Sequence, residues 1–261
     1  MTETSPPPAH QPLAARSLEP LSPERHAAWR LKTADFGFAR EAPFIPVVVS
    51  EFARAARTYP IVFSASDPSP LALLGIDRAN LFLGDASGDA ATPGIVWREG
   101  YVPAYVRRYP FGYLRVGESD RFVLGIDPGC EAICTDGTEG QPLFEDGAPA
   151  AIVQTALAIC QAFQGQAEAS MAFVRALEDR GLLVERTAEL TLDGGGRHRL
   201  TGFRIVDRAK FDALDGPTIV EWHAKGWLEA VSFHLASLDL LAALVRRHGD
   251  LQAALPDQVA A

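Results

Sequence analysis

Cysteine is scarce. Cys130, Cys134 and Cys160 are the only three in 261 residues. An odd, small number builds no disulfide framework and suits a reducing compartment. Three cysteines exclude a four-cysteine zinc site, and no spacing supports a mixed site with His198 or His223. No apolar run approaches the ~20 residues that span a bilayer. The most apolar helical stretch, 231–245, is interrupted by His234 and Asp239. An excess of basic charge is also missing. Lys and Arg number 24 against 33 Asp and Glu, a formal net charge of -9. That argues against a nucleic-acid partner, which needs a basic footprint for phosphate. The opening MTETSPPPAHQPLAARSLEP lacks a basic region followed by an apolar stretch, so it does not read as a secretory signal. The expectation is a cytoplasmic protein without a membrane span, with signal-free export left open.

Catalytic signatures are absent as well. The chain holds no GxSxG, no GxxxxGK[ST] and no HExxH. Gly194, Gly195 and Gly196 are too few for a dinucleotide fingerprint and precede no helix. We therefore expect no cofactor, no structural metal and no disulfide.

What is present is an ordinary globular composition, 48% hydrophobic and 22% charged. A chain of this length buries enough apolar surface to fold without staples. Residues 1–20 are rich in Pro, Ala and Ser and read as a disordered tail, and 249–261 as a flexible C-terminal tail. Between them, 21–248 reads as one domain. Its first part has short apolar runs set between Pro and Gly: PFIPVVVSEF, YPIVFSAS, LALLGI and NLFLG are expected strands. Glu51 to Arg57 reads as one or two helical turns. YVPAYVRRYPF and GYLRVGESDRFVLGID extend the strand signal, with a hairpin turn at Gly117 to Asp120.

The pattern changes near Ala150. Ile152, Ala156, Ile159, Phe163, Ser170, Met171, Val174 and Leu177 recur at three- and four-residue steps, one face of a long helix. Gly165 is a possible kink and Gly181 a C-cap. A β-hairpin follows, with its turn at Asp193 to Gly196. Then come a short helix from Arg208 to Leu214 and a long helical region from Thr218 to Arg247, with Gly226 as a break. The fold class is α+β in one domain: short strands and turns first, then long helices with a β-hairpin covering the sheet.

Six segments, taken in order, resemble the SapC family: VVVSEFARAARTYPIVF, YVPAYVRRYPF, TEGQPLFEDG, FVRALEDRGLL, LTGFRIVDRAKFDAL and KGWLEAVSFHLASL. The resemblance spans Pro20 to Leu244. It implies a bacterial protein and, from the family's name, an association with surface layers. It brings no catalytic residues with it.

Two groups of side chains are candidates for a ligand site. The first is Tyr101, Tyr105, Arg107, Arg108 and Tyr109. On an extended chain, Tyr101, Tyr105, Arg107 and Tyr109 share one face. Aromatic rings beside a guanidinium suit a sugar, a carboxylate or a peptide terminus. The competing reading has half-buried tyrosines and an arginine paired with an acid. The second group is His223, Trp227 and His234, which share one face of a continuous helix. Eleven residues rise about 16 Å, too far for one metal ion. Here the competing reading is two core histidines with satisfied ring nitrogens. The acids Asp127, Glu131, Asp136, Glu139, Glu145 and Asp146 match no cation loop and read as solvated turns, as does the Asp85 to Asp89 turn. The cysteines read as buried and inert.

Two functions from different classes follow. One is a non-catalytic binding or assembly factor of the bacterial envelope or surface layer, with a peptide, a glycan or an envelope protein as partner. The other is an enzyme of undescribed motif acting on a peptide or glycan, with His223 or His234 as base and Arg107 as anion anchor. Convergence of these residues on one pocket distinguishes the second from the first.

Overall fold

The computed structural model describes residues 3–4, 18–33, 35–67, 69–76, 78–85, 94–115, 122–191 and 197–254. The expected turns at Gly117 to Asp120 and Asp193 to Gly196 lie outside these residues. So do most of the 1–20 segment and Ser87 to Asp89.

Strands β1 (Phe44–Pro46), β2 (Ile61–Ser64) and β3 (Pro70–Leu73) come from the Pro-punctuated apolar runs. Every residue of β2 and β3 is buried. Continuous apolar sequence, without alternation, is what a strand covered on both faces requires. A short helix, α1 (Phe52–Ala55), lies between β1 and β2 and is preceded by a 3-10 turn at Val49–Glu51. That turn corrects the expected strand over PFIPVVVSEF, which survives only as β1. Its cause is local: Glu51 reaches back and accepts the Val48 amide through Oε2 at 3.1 Å, satisfying a donor that an extended chain would give to a neighbour.

A further helical turn, α2 (Ala104–Arg107), leads into the hairpin of β4 (Phe111–Arg115) and β5 (Phe122–Ile126). Glu19 and Pro20, read as the end of the tail, pair with Ile126 and Gly125 on β5. The long helix α3 runs from Ala151 to Asp179 without interruption at Gly165. It is followed by β6 (Leu183–Thr191) and β7 (Arg197–Val206), an antiparallel pair with a register shift between Arg186 and Ala188. The helices α4 (Arg208–Asp212), α5 (Gly216–Ala224), α6 (Trp227–Ser237) and α7 (Leu240–Ala254) complete the chain. The last of these extends past residue 248, into the segment expected to be a tail.

The main sheet has the order β6-β7-β2-β3-β1, antiparallel throughout. Glu3–Thr4 adds a parallel bridge to Arg199 and Leu200. The fold is α+β, as the sequence pattern predicts.

Two groups of buried side chains hold it together. The larger joins the main sheet to α1, α3, α5 and α6 through Phe52, Tyr59, Ile61, Phe63, Phe173, Trp222 and Val231. The smaller gathers Leu31, Phe111, Ile126, Leu143 and Phe144. Helix α3 belongs to both. Val153, Ala156 and Cys160 pack into the smaller group, and Phe163, Phe173, Val174 and Leu177 into the larger. Its 29 residues give a rod about 43 Å long. Among the described residues, no single helix is long and apolar enough to cross a membrane.

Candidate functional site

The segment YVPAYVRRYPF is not a strand over its first half. Pro103 stands at the N-cap with φ -61 and ψ 149. The amides of Arg107 and Arg108 reach back to the carbonyls of Pro103 and Ala104 at 3.0 and 3.1 Å. The first free amide of this turn, that of Ala104, donates to Glu51 Oε1 at 2.7 Å. With i→i−4 bonds and a carboxylate cap, the local period is helical, so the expected shared face of Tyr101, Tyr105, Arg107 and Tyr109 does not form.

The residues separate into three places. Tyr101 is half-buried and has two exposed guanidiniums near its ring, Arg54 at 5.7 Å and Arg107 at 5.5 Å from its centre. Arg107 also donates from Nη2 to the Tyr101 hydroxyl at 2.8 Å and from Nε to the Val102 carbonyl at 3.0 Å. Tyr101 is set in place by its own carbonyl, which accepts the Tyr59 hydroxyl at 2.8 Å. Burial, and then the Glu51 carboxylate, push its phenol above the ordinary range. Tyr105 is buried beside Phe163, and Arg108 lies over both rings, 4.4 and 4.7 Å from their centres. Tyr109 faces elsewhere: it stacks on Phe38 at 4.1 Å and donates to Asp127 Oδ2 at 3.2 Å. Asp127 is therefore a buried acceptor and not the solvated turn residue expected. Among the described residues, the ion pairs include none of Arg54, Arg107 and Arg108.

The histidines part company. Gly226 has φ +70, a left-handed conformation that ends α5 and turns the chain into α6. His223 is exposed on α5 and His234 fully buried on α6, so they share no face. The ring of His234 bridges two strands. Nδ1–H donates to the Ile61 carbonyl at 2.8 Å, and Nε2 accepts the Val206 amide at 3.1 Å. Burial lowers its pKa to about 4. Both nitrogens are committed to the backbone, which removes His234 as a general base.

Trp227, of the second group, stands beside a cavity. A groove of about 360 Å³ opens between the 49–53 turn, α3 and the start of α6. Ser50, Gln166, Lys225, Trp227 and Glu229 line it. Ser50 donates to Gln166 Oε1 at 2.8 Å, and Lys225 Nζ rests 4.4 Å from the Trp227 ring centre. Sequence reasoning missed Ser50, Arg54, Gln166, Lys225 and Glu229. The available signal was the four-residue step from Ser50 to Arg54, which begins one residue ahead of the helical turns expected over Glu51 to Arg57 and would set the two side by side if the helix started earlier.

The cysteines are free thiols. Burial raises Cys160 to about 11 and raises Cys130 as well, which leaves both poor nucleophiles. Among the described residues, no group of three His, Cys, Asp or Glu side chains is placed to hold a metal ion.

The SapC family model matches residues 21–244 of the chain. No curated protein and no solved structure matches it.

Proposed function

The chain belongs to the SapC family, and from that premise we propose that it is a binding or assembly factor that grips an anionic partner of the bacterial envelope or surface layer. The observation that carries this reading is the Arg54–Tyr101–Arg107 cluster. Two exposed guanidiniums stand near one ring, and neither meets a carboxylate among the described residues. In a protein of net charge -9, arginines left without an acid partner are available for one. Guanidinium forks match carboxylates and phosphates, and the ring beside them limits their freedom before a ligand arrives. Arg108, held over Tyr105 and Phe163, adds a third cation nearby in sequence.

The enzymatic alternative finds less support. Its two histidines do not converge, and His234 has no free nitrogen. The carboxylate beside Tyr101 is Glu51, whose two oxygens already accept the Val48 and Ala104 amides, which leaves it poorly placed as a base.

The test is binding of anionic polymers (polyglutamate, polygalacturonate and a polyol phosphate) to the full chain by calorimetry. At least one is expected to bind, more weakly as salt rises. The double variant R54A/R107A should lose that binding at least tenfold while its melting temperature stays close to that of the parent. Binding to none of the three, or equal binding by the double variant, would overturn the proposal.

A further inference from the structure

The arginine cluster and the groove lie on two flanks of one short segment. Ser50 lines the groove and Arg54, four residues on, stands over Tyr101; residues four apart on a helical turn are surface neighbours. A second link runs along α3. Phe163, beneath Arg108, precedes the groove residue Gln166 by three positions. From these links we infer that the cluster and the groove form one extended site for an anionic oligosaccharide, with the acidic group held by Arg54 and Arg107 and neighbouring sugar rings in the groove. This rests on the anion-binding reading above and names its ligand class.

The lining of the groove chooses a sugar over a peptide. Ser50, Gln166, Lys225 and Glu229 offer hydroxyl, amide, ammonium and carboxylate groups around the indole of Trp227. Glu229 is exposed and has no partner among the described residues. Gln166 spends its oxygen on Ser50, which leaves its NH2 group as the donor it presents. Sugar hydroxyls both donate and accept, so they answer a mixed set of this kind, and their C–H faces suit an aromatic ring. An extended peptide needs an open strand edge to pair with. The groove is walled by helices and a 3-10 turn and presents no strand edge. A helical peptide needs a row of apolar pockets, whereas Ser50, Gln166, Ser170, Lys225 and Glu229, five of the groove's twelve residues, interrupt its apolar lining. The volume, about 360 Å³, falls at the small end of ligand sites, roughly 300–1,000 Å³. That suits one or two sugar rings.

The experiment compares tetragalacturonate, a phosphorylated maltotetraose, neutral maltotetraose and tetraglutamate by calorimetry on the full chain. Variants E229A, Q166L and R54A/R107A are run beside the parent. E229A removes an exposed, unpartnered side chain, so its fold is retained. At least one acidic oligosaccharide should bind at least fivefold more tightly than tetraglutamate and than neutral maltotetraose. Which of the two acidic sugars binds decides between carboxylate and phosphate. E229A and Q166L should weaken that sugar about fivefold and leave tetraglutamate unchanged, whereas R54A/R107A should weaken every anionic probe. If the groove variants bind the acidic sugars as the parent does, or tetraglutamate binds as well as they do, the sugar assignment fails while anion binding stands. If no acidic probe binds the parent, both fail.

Discussion

The carboxylate of Glu51 joins two segments 53 residues apart, with Oε1 2.7 Å from the amide nitrogen of Ala104. Its other oxygen accepts the Val48 amide. The residue is buried, so each N–H it serves has no water to turn to. Glu51→Ala leaves two buried donors unpaired, each costing about 1–3 kcal/mol. The expected loss is roughly 2–6 kcal/mol by denaturant titration. The same change should weaken anion binding, because the turn that presents Arg107 loses its cap. A loss below about 1 kcal/mol, within ordinary surface-mutation scatter, would sink this account.

Acid should act through His234. Its folded pKa, lowered to about 4 by burial, lies below the unfolded value of about 6.5. The unfolded chain then binds the extra proton between those values, so stability rises with pH across that window. The stabilisation is complete above about pH 6.5 and is lost as pH falls toward 4. It amounts to roughly 3 kcal/mol. Thermal melts from pH 7 to pH 4 should fall accordingly. His234→Gln should be less stable at pH 7 yet show a shallower fall, and an equally steep fall in the variant would rule the mechanism out.

Two glycines with open space around them should respond with opposite signs. A Cβ at Gly165 or at Gly226 meets nothing within 4 Å. Gly165 lies inside α3, so Gly165→Ala should stabilise by about 0.5–1 kcal/mol. Gly226 has φ +70, so Gly226→Ala should cost about 1–2 kcal/mol. Melting temperatures of the two variants check both signs.

Because α3 is shared, we expect the two buried groups to unfold together. Ile126, fully buried in the smaller one, tests this. Ile126→Ala should cost about 2–5 kcal/mol and move one transition, seen alike by calorimetry and by tryptophan fluorescence. Two separated transitions, or a stable fragment ending near Pro149, would contradict it.

Periodicity made the helices legible. The three- and four-residue steps of α3 and the stop at Gly226 come from local chemistry, and both appear where the pattern places them. The same holds for the apolar runs that became β2 and β3. The turn at Ala104–Arg107 was not legible, because what caps it is a side chain from Glu51, invisible to any local window. His234 illustrates the same limit. The competing reading of a satisfied core histidine holds for it, yet its partners on β2 and β7 are set by the sheet. The groove was hidden because its walls come from three separate stretches, and only Trp227 had an aromatic signal to mark it.

The order of the main sheet has a consequence for how the chain is made. β2 finds its partner on β7, and Arg204 reaches the Ser64 carbonyl across 140 residues. At about 5–20 residues per second, a ribosome needs roughly 7–30 s to supply that partner. For that interval the buried strands β2 and β3, with the sequences IVFS and PLAL, hold one another but leave a bare apolar edge. A nascent chain that exposes such an edge is a substrate for holdase chaperones. Its yield in a heterologous host should therefore depend on chaperone supply during synthesis more than on the stability of the finished fold.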